Sequence, residues 1–265
     1  MLTKLLRYEG RATARVLLPV GGGVILFTLV VGVMNRILNG QSEWPEPVVW
    51  IQALMNFAGA LALIFVVGIC VFIQVQRFYK LLGEQGYLML SLPVPVWMHI
   101  AVKLFCAIVW SLASIVYLIV CGNLLAGNVL FQADSLTLPT LGPSEWAMFF
   151  LIFCCVVVAV ASAYLSFYLC CAVGGQFGQQ RLLASIVSYF VLTFVEQVLT
   201  SLAMIVVAFS AIQANGLWWF NILFSMDSEW AAVCLAVVII IALLVLAAIK
   251  WAIIQWLMTR RLNLI

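Results

Sequence analysis

Glu196 is the acidic residue whose position raises a chemical question. It is the only charged residue in the apolar run 182–212, and it lies near the middle of that run. An ionisable side chain at that depth in a bilayer is costly, so we expect it to face the protein interior with a partner or to hold a proton. Such a group suits a proton site or the lining of a substrate path.

Polar side chains recur around Glu196 at spacings of three and four residues, and they form a stripe along one predicted helix. The stripe either lines a substrate path or subunit seam or clamps neighbouring helices through hydrogen bonds, and both interpretations stay open. Its members are Ser185, Tyr189, Thr193, Glu196, Gln197, Thr200 and Ser201. An earlier apolar run places Gln52, Asn56 and Gly59 on one face, which should look toward protein or a cavity. The predicted lining of a translocation pathway is Gln52, Asn56, Glu196, Gln197 and Thr200.

The side chains of common enzyme sites are missing from the sequence. His99 is the only histidine, so histidine metal sites and Ser–His pairs lack a part. An intramembrane protease would need a second acid at the depth of Glu196. All eight cysteines fall inside apolar runs without Cys-x-x-Cys spacing, as expected of small buried hydrophobic residues. We therefore predict that the chain is not an enzyme and has no catalytic residue, metal site or bound cofactor.

The composition places these residues in a membrane protein. Of 265 residues, 67% are hydrophobic and 8% are charged, against about 25% charged residues in ordinary globular domains. Mean hydropathy is +1.24. The apolar runs reach the roughly 18 to 20 residues that a bilayer-spanning helix needs. The predicted fold is an all-α membrane protein with six transmembrane helices in a single domain over 1–265, at about 16–38, 48–73, 96–123, 145–173, 182–212 and 230–257.

Two segments outside the spans carry their own patterns. Residues 1–15 hold four basic side chains at helical spacing, which predicts an N-terminal amphipathic helix in the lipid headgroup region. A basic tail without fixed structure is the alternative. Residues 213–229 are too aromatic for a free loop and too short to span, so we expect an extracellular re-entrant or capping segment.

Basic residues divide unevenly between the two sides of a six-span arrangement. Of the 12 lysines and arginines, Arg36 alone lies on the side opposite the termini. Because cytoplasmic loops are enriched in basic residues, both termini are predicted to be cytoplasmic. Lys103, which lies two turns inside the third span, is expected to extend its amine back to the near surface.

The stretch 74–95, QVQRFYKLLGEQGYLMLSLPVP, separates the second and third spans. Helical spacing places Gln76, Lys80 and Glu84 on one face, and glycines and prolines follow. This pattern predicts a short amphipathic helix along the cytoplasmic membrane surface, against which a partner outside the membrane would push.

One motif invites a nucleotide-binding interpretation. Gly174-Gly175-Gln176 matches part of the Ser-Gly-Gly-Gln signature of ATP-binding cassettes, but Val173 stands in place of the serine. No Gly-x-x-x-x-Gly-Lys-Ser/Thr pattern occurs in the sequence. The connection 174–181 between two spans is too short to contain a nucleotide-binding domain.

Several of these residues together resemble the loop between the second and third spans of ABC-2 type permeases. That loop often has an acid, then Gly-Tyr or Gly-Thr, leucines and a proline, followed by a lysine in the next span. The stretch from Leu6-Arg7-Tyr8-Glu9 to Pro19 also looks like the connecting helix and first span of such permeases from Gram-positive bacteria. The matching loop residues here are Arg77-Phe78-Tyr79-Lys80, Glu84, Gly86-Tyr87, Leu92-Pro93 and Lys103.

The resemblance implies the permease subunit of an ATP-driven exporter in a bacterial plasma membrane, moving an amphipathic or peptide-like substrate. Segment 74–95 would be a coupling helix that fits a cleft on a separately encoded ATPase, and that ATPase would bind ATP and magnesium. A second permease copy or a related permease, together with membrane lipid, would be the other partners, with no nucleic acid. Gln85 stands where many relatives carry a further charge. The residues implied to contact the ATPase are Tyr79, Lys80, Glu84, Gly86 and Tyr87.

The residues are also compatible with two other functions. A stand-alone secondary carrier would use Glu196 as its proton site. A membrane scaffold or immunity protein would bind a partner without transporting anything. Antimicrobial peptides are common substrates or targets in similar Gram-positive systems, but the sequence does not select them over lipids or drugs.

Overall fold

The computed structural model describes residues 2–39, 45–82, 96–126, 142–177, 180–212 and 228–260, and within these ranges it contains six α-helices and no strand. All six are long and apolar enough to cross a membrane. This finding confirms the predicted all-helical, six-span architecture of a multi-pass membrane protein. The helices are α1 (Leu2–Asn39), α2 (Glu46–Leu81), α3 (Val96–Leu125), α4 (Pro143–Gly174), α5 (Arg181–Ile212) and α6 (Ser228–Arg260).

The first helix is longer than the sequence predicted. α1 is one 38-residue helix that runs through Gly10 and Pro19, so the expected surface helix 1–15 and the first span are continuous. A single glycine costs a helix only about 1 kcal/mol relative to alanine, and proline is tolerated in membrane helices. At 1.5 Å per residue α1 is about 57 Å long, against about 30 Å of hydrocarbon core. One end or both must therefore project beyond the bilayer.

The second helix also extends past its predicted end. α2 continues to Leu81, so residues 74–81 prolong a span and do not begin a separate surface helix. No glycine or proline interrupts the sequence between Gly68 and Gly83, which explains the continuity. The remainder of the predicted coupling helix, including Glu84, Gly86 and Tyr87, lies outside the described residues, as do residues 213–227 of the predicted extracellular cap.

The chain divides into two compact units, and the first contains Met1–Arg77 and Ile100–Leu138. Within this unit α1 and α3 approach closely. A Cβ on Gly32 would overlap the carbonyl oxygen of Leu124, and the Tyr117 hydroxyl donates a 2.8 Å hydrogen bond to the carbonyl oxygen of Gly21. Glycine at position 32 therefore allows the two backbones to meet.

The second unit contains Phe78–His99 and Pro139–Ile265. Here α4 packs against both α5 and α6. The ring of Phe78 stacks on that of Tyr168 with centroids 4.0 Å apart, and both side chains are fully buried. A Cβ on Gly174 would overlap Ser185 in α5, so the first glycine of the motif that resembles a nucleotide signature allows close helix packing here.

Replacing Gly32 with alanine should destabilise the protein, because the added methyl group would force α1 away from Leu124. Overpacking of this kind typically costs about 1–3 kcal/mol. Gly22→Ala is the matched control on the same helix, since a Cβ there meets nothing within 4 Å. The midpoint of thermal unfolding in detergent should fall for Gly32→Ala only. Equal midpoints for the two variants would contradict the close approach.

Candidate functional site

A buried charge cluster, here called the Glu9 cluster, joins three helices of the first unit. It consists of Glu9 in α1, Arg77 in α2 and Lys103 in α3. One carboxylate oxygen of Glu9 lies 2.8 Å from the Lys103 Nζ, and the other lies 3.1 Å from the Arg77 guanidinium. The side chains of Glu9 and Lys103 are only 10% and 9% exposed. One carboxylate thus holds two cations from two other helices.

Backbone carbonyl groups complete the Glu9 cluster. The Arg77 guanidinium also donates to the carbonyl oxygen of Glu9 at 2.9 Å, and the Lys103 amine donates to that of Arg77 at 3.3 Å. Removing one partner from a buried ion pair leaves an uncompensated charge, which is strongly destabilising. The cluster should therefore keep α1, α2 and α3 in one fixed arrangement.

The Glu9 cluster lies beside the predicted ATPase-coupling residues in the sequence. Arg77 is in the last turns of α2, and Lys103 is two turns into α3, so the two cations flank the segment 83–95. Tyr79 is half-buried and Lys80 is exposed. Their assignment to an ATPase contact stays a prediction.

Glu196 has the partner that the sequence required but did not identify. In the second unit, the Lys250 Nζ of α6 lies 2.8 Å from the Glu196 carboxylate of α5. The same Nζ donates to the hydroxyls of Ser162 at 3.0 Å and Ser166 at 2.8 Å, both in α4. Lys250 is 8% exposed and Glu196 is 34% exposed at the side chain, so the lysine is enclosed and the acid lies at the edge of the unit.

Of the other predicted pathway residues, only Gln197 and Thr200 share a helix with Glu196. Gln197 and Thr200 are exposed on α5, and the Thr200 hydroxyl donates to the carbonyl oxygen of Glu196 in its own helix. Gln52 and Asn56 belong to the first unit, where both bond to Asn35 of α1. The predicted residues thus form two separate groups, and their role in a pathway stays a prediction.

Sequence reasoning missed the partners of each group. The sequence predicts Glu9 in a surface helix and a Lys103 amine at the membrane surface, whereas the two side chains are buried together. The sequence does not single out Asn35, because one amide near the end of a span forms no periodic pattern. The available signal was charge: Glu9 is the only acid among the basic residues of 1–15, and Lys250 is the only charge inside the last span.

No group of three or more His, Cys, Asp or Glu side chains within the described ranges could hold a metal ion. Comparison of the chain with protein-family models, curated proteins and solved structures finds no match.

Neutralising Glu9 should lower stability sharply. Glu9→Gln leaves the buried Lys103 and the half-buried Arg77 without their counter-charge, and breaking a buried pair in this way costs about 3–5 kcal/mol. Adding Lys103→Met removes one of the stranded cations and should restore part of the loss. The midpoint of thermal unfolding in detergent measures both effects, with the exposed acid Glu46→Gln as control. Wild-type stability in Glu9→Gln would contradict the proposed role of the cluster.

The Glu196–Lys250 pair should show energetic coupling in a double-mutant cycle. Lys250→Met leaves the Glu196 carboxylate with the Ser166 hydroxyl as donor, and Glu196→Gln leaves the enclosed Lys250 amine with two serine acceptors and no counter-charge. We expect each single change to lower stability and the double variant to recover part of the loss. Coupling energies between contacting residues are about 0.5–3 kcal/mol. Additive shifts in thermal stability would mean that the two charges do not act as a pair.

Proposed function

We propose that this chain is the permease subunit of an ATP-driven exporter that moves an amphipathic or peptide-like substrate out of the cell. The observation that carries the proposal is the Glu9 cluster, which connects three helices through the two cations flanking segment 83–95. ATP and magnesium would bind to a separately encoded ATPase. Segment 83–95, with Tyr79 and Lys80 before it, would make the contact with that ATPase.

Transport of this kind is mechanical and needs a rigid connection between the ATPase and the spans. A displacement of segment 83–95 would be passed through Arg77 and Lys103 to Glu9, and so to α1. Packed side chains and ion pairs carry such motion because they have discrete arrangements and do not deform continuously. A mobile surface loop without buried anchors would absorb the same displacement.

The second unit supplies anchors for the same segment. Phe78, Leu82 and His99, which flank segment 83–95 in the sequence, are all buried in that unit. Phe78 is held by its stack on Tyr168 of α4. Buried residues therefore lie immediately before and after the segment in the sequence, which supports a role in coupling the helices of this unit to an external motor.

Basic residues in the same region support an orientation in the membrane. Arg7, Arg11 and Arg15 are exposed along the first turns of α1, where they can contact anionic lipid headgroups. We therefore assign the end of α1 that contains Glu9 to the cytoplasmic side of a bacterial plasma membrane, with both termini on that side.

The surface of α5 supports a second permease copy or a related permease as partner. Along this helix Thr193, Gln197, Thr200 and Ser201 are all exposed. Polar side chains in hydrocarbon are costly, and in membrane proteins they bond across helix interfaces. The three hydroxyls donate to carbonyl oxygens of α5 itself, and a second subunit that covers this stripe could bond to their remaining acceptor positions and to Gln197. It would also place Glu196 close to the seam.

A secondary carrier is the second candidate, because one observation favours it. The Glu196 carboxylate is partly exposed and paired with a lysine inside a span, and ion pairs at such depth are common in proton relays. Transport by a carrier would follow the proton gradient and would not need ATP.

The coupling proposal predicts that changes at Glu84 and Tyr87 separate the chain from its ATPase. The tagged chain is purified from its native membrane in mild detergent, and co-purifying ATPase activity and subunit composition are measured. Glu84→Lys reverses a charge on the contact face, and Tyr87→Ala removes an aromatic anchor that is typically worth about 2 kcal/mol or more. We expect both variants to insert normally and to lose the ATPase.

Glu46→Lys is the matched control, since Glu46 is an exposed acid in the first turn of α2, at the opposite end of that helix. It should keep the ATPase bound. An ATP-hydrolysing subunit retained equally by all variants would place the contact elsewhere on the chain. If no ATPase co-purifies and transport follows the proton gradient, the carrier replaces the exporter as the function.

A further inference from the structure

A cavity of about 290 Å³ lies in the first unit, between α1, α2 and the end of α3. One side of it is lined by the carboxamides of Asn35, Gln52 and Asn56, and the other by Gly122, Leu125 and Ala126. Three amides on one wall and small or aliphatic residues on the other give the cavity one hydrogen-bonding face and one apolar face.

Asn35 is the fixed centre of the amide wall. Its Nδ2 donates to the Asn56 Oδ1 at 2.6 Å and to the carbonyl oxygen of Leu125 at 2.7 Å. Its Oδ1 accepts from Gln52 at 3.1 Å and from Asn56 at 3.4 Å. All four hydrogen-bonding positions of this carboxamide are therefore used, and the residue is only 4% exposed.

Gln52 and Asn56 keep hydrogen-bonding capacity that Asn35 does not take up. Each carboxamide has two N–H donors and a carbonyl oxygen that accepts two bonds. Within the part of the chain that the structure describes, the Gln52 Oε1 and one N–H of each residue have no partner. Both residues are half-buried, so these groups remain accessible while Asn35 holds their side chains in place.

The chemistry of the lining restricts the ligand. Among the residues that the structure describes, no Lys, Arg, Asp or Glu lines the cavity, which favours an uncharged ligand group. Unused donors and acceptors lie side by side, which favours a group that both donates and accepts. A peptide unit has this property, with one N–H and one C=O, and its flanking carbons suit the apolar wall.

The size of the cavity limits how much of a ligand it holds. Sites for drug-sized ligands measure about 300–1,000 Å³, and a water molecule takes about 30 Å³. At about 290 Å³ the cavity accommodates one or two residues of a peptide, and because it is open on one side the rest of a longer substrate would lie outside it.

We propose that this cavity is a binding site for an uncharged peptide unit, held by the free amide groups of Gln52 and Asn56 against the wall formed by Leu125 and Ala126. The proposal rests on the proposed export function, and it names the backbone amide as the part of the substrate that is recognised. Such a site would accept peptides of different sequence, because the amide is common to all of them.

Binding is tested on the full chain in lipid nanodiscs by saturation-transfer NMR, with N-acetyl-alanyl-alanine methylamide as probe. The comparison ligand is the depsipeptide in which an ester oxygen replaces the central N–H. A hydrogen bond contributes about 0.5–1.5 kcal/mol, which corresponds to about 2-fold to 12-fold in affinity. We expect the amide to bind more tightly than the ester by a factor in this range.

Gln52→Leu and Asn56→Leu should each weaken binding of the amide probe by a similar factor. Gln76→Leu is the matched control, because it changes the same residue type on the exposed surface of α2 and does not line the cavity. Ala126→Trp fills the cavity without removing any of the hydrogen bonds to Asn35. It should abolish binding even if the leucine variants prove too unstable to test.

Three results would overturn the proposal: equal binding of amide and ester, wild-type binding in Ala126→Trp, or tighter binding of sucrose than of the amide at the same site. The binding assay contains no ATPase, so a negative result in it would not contradict the proposed ATPase contact. Loss of the ATPase contact, conversely, would not change binding of the probe.

Discussion

Charge inside an apolar protein is the constraint on which the arrangement of these helices depends. Both described acids that lie within helices, away from the first turn, are paired with a lysine from a different helix: Glu9 with Lys103, and Glu196 with Lys250. A charge buried without its partner would cost several kcal/mol. The hydrophobic effect acts weakly between helices in a bilayer, so these pairs do much to decide which helices are neighbours.

The two pairs belong to different units and differ in how they are enclosed. The Glu9 cluster is closed, since its acid and its lysine are nearly inaccessible and backbone carbonyls accept the remaining hydrogen bonds. The pair in the second unit is asymmetric, with an enclosed lysine and an accessible acid. A closed cluster suits the transmission of force, whereas an accessible acid suits contact with a substrate, a proton or a second subunit.

The sequence predicted the number of spans, which depends on the length of apolar runs. It did not predict which helices are neighbours, because that depends on their order in space. Six spans follow from six runs of sufficient length. The face shared by Gln52 and Asn56 follows from helical spacing, and it does meet protein and a cavity. Which base would reach Glu196 could not be predicted, because Lys250 and Lys103 are equally plausible until the neighbours of α5 are known. The polar residues of 1–15 and 74–81 predicted that spans begin or end near residues 15 and 73. α1 and α2 instead each continue through that point as a single helix.

The order of the paired residues along the chain has a consequence for biogenesis. Glu9 is synthesised before either of its cations, and Glu196 of α5 is synthesised before Lys250 of α6. The carbonyl oxygen of Leu125, which accepts from Asn35, is likewise made later, at the end of α3. Each early helix is therefore made with a polar group whose partner belongs to a later helix. Synthesis that stopped between these steps would leave that group without its partner.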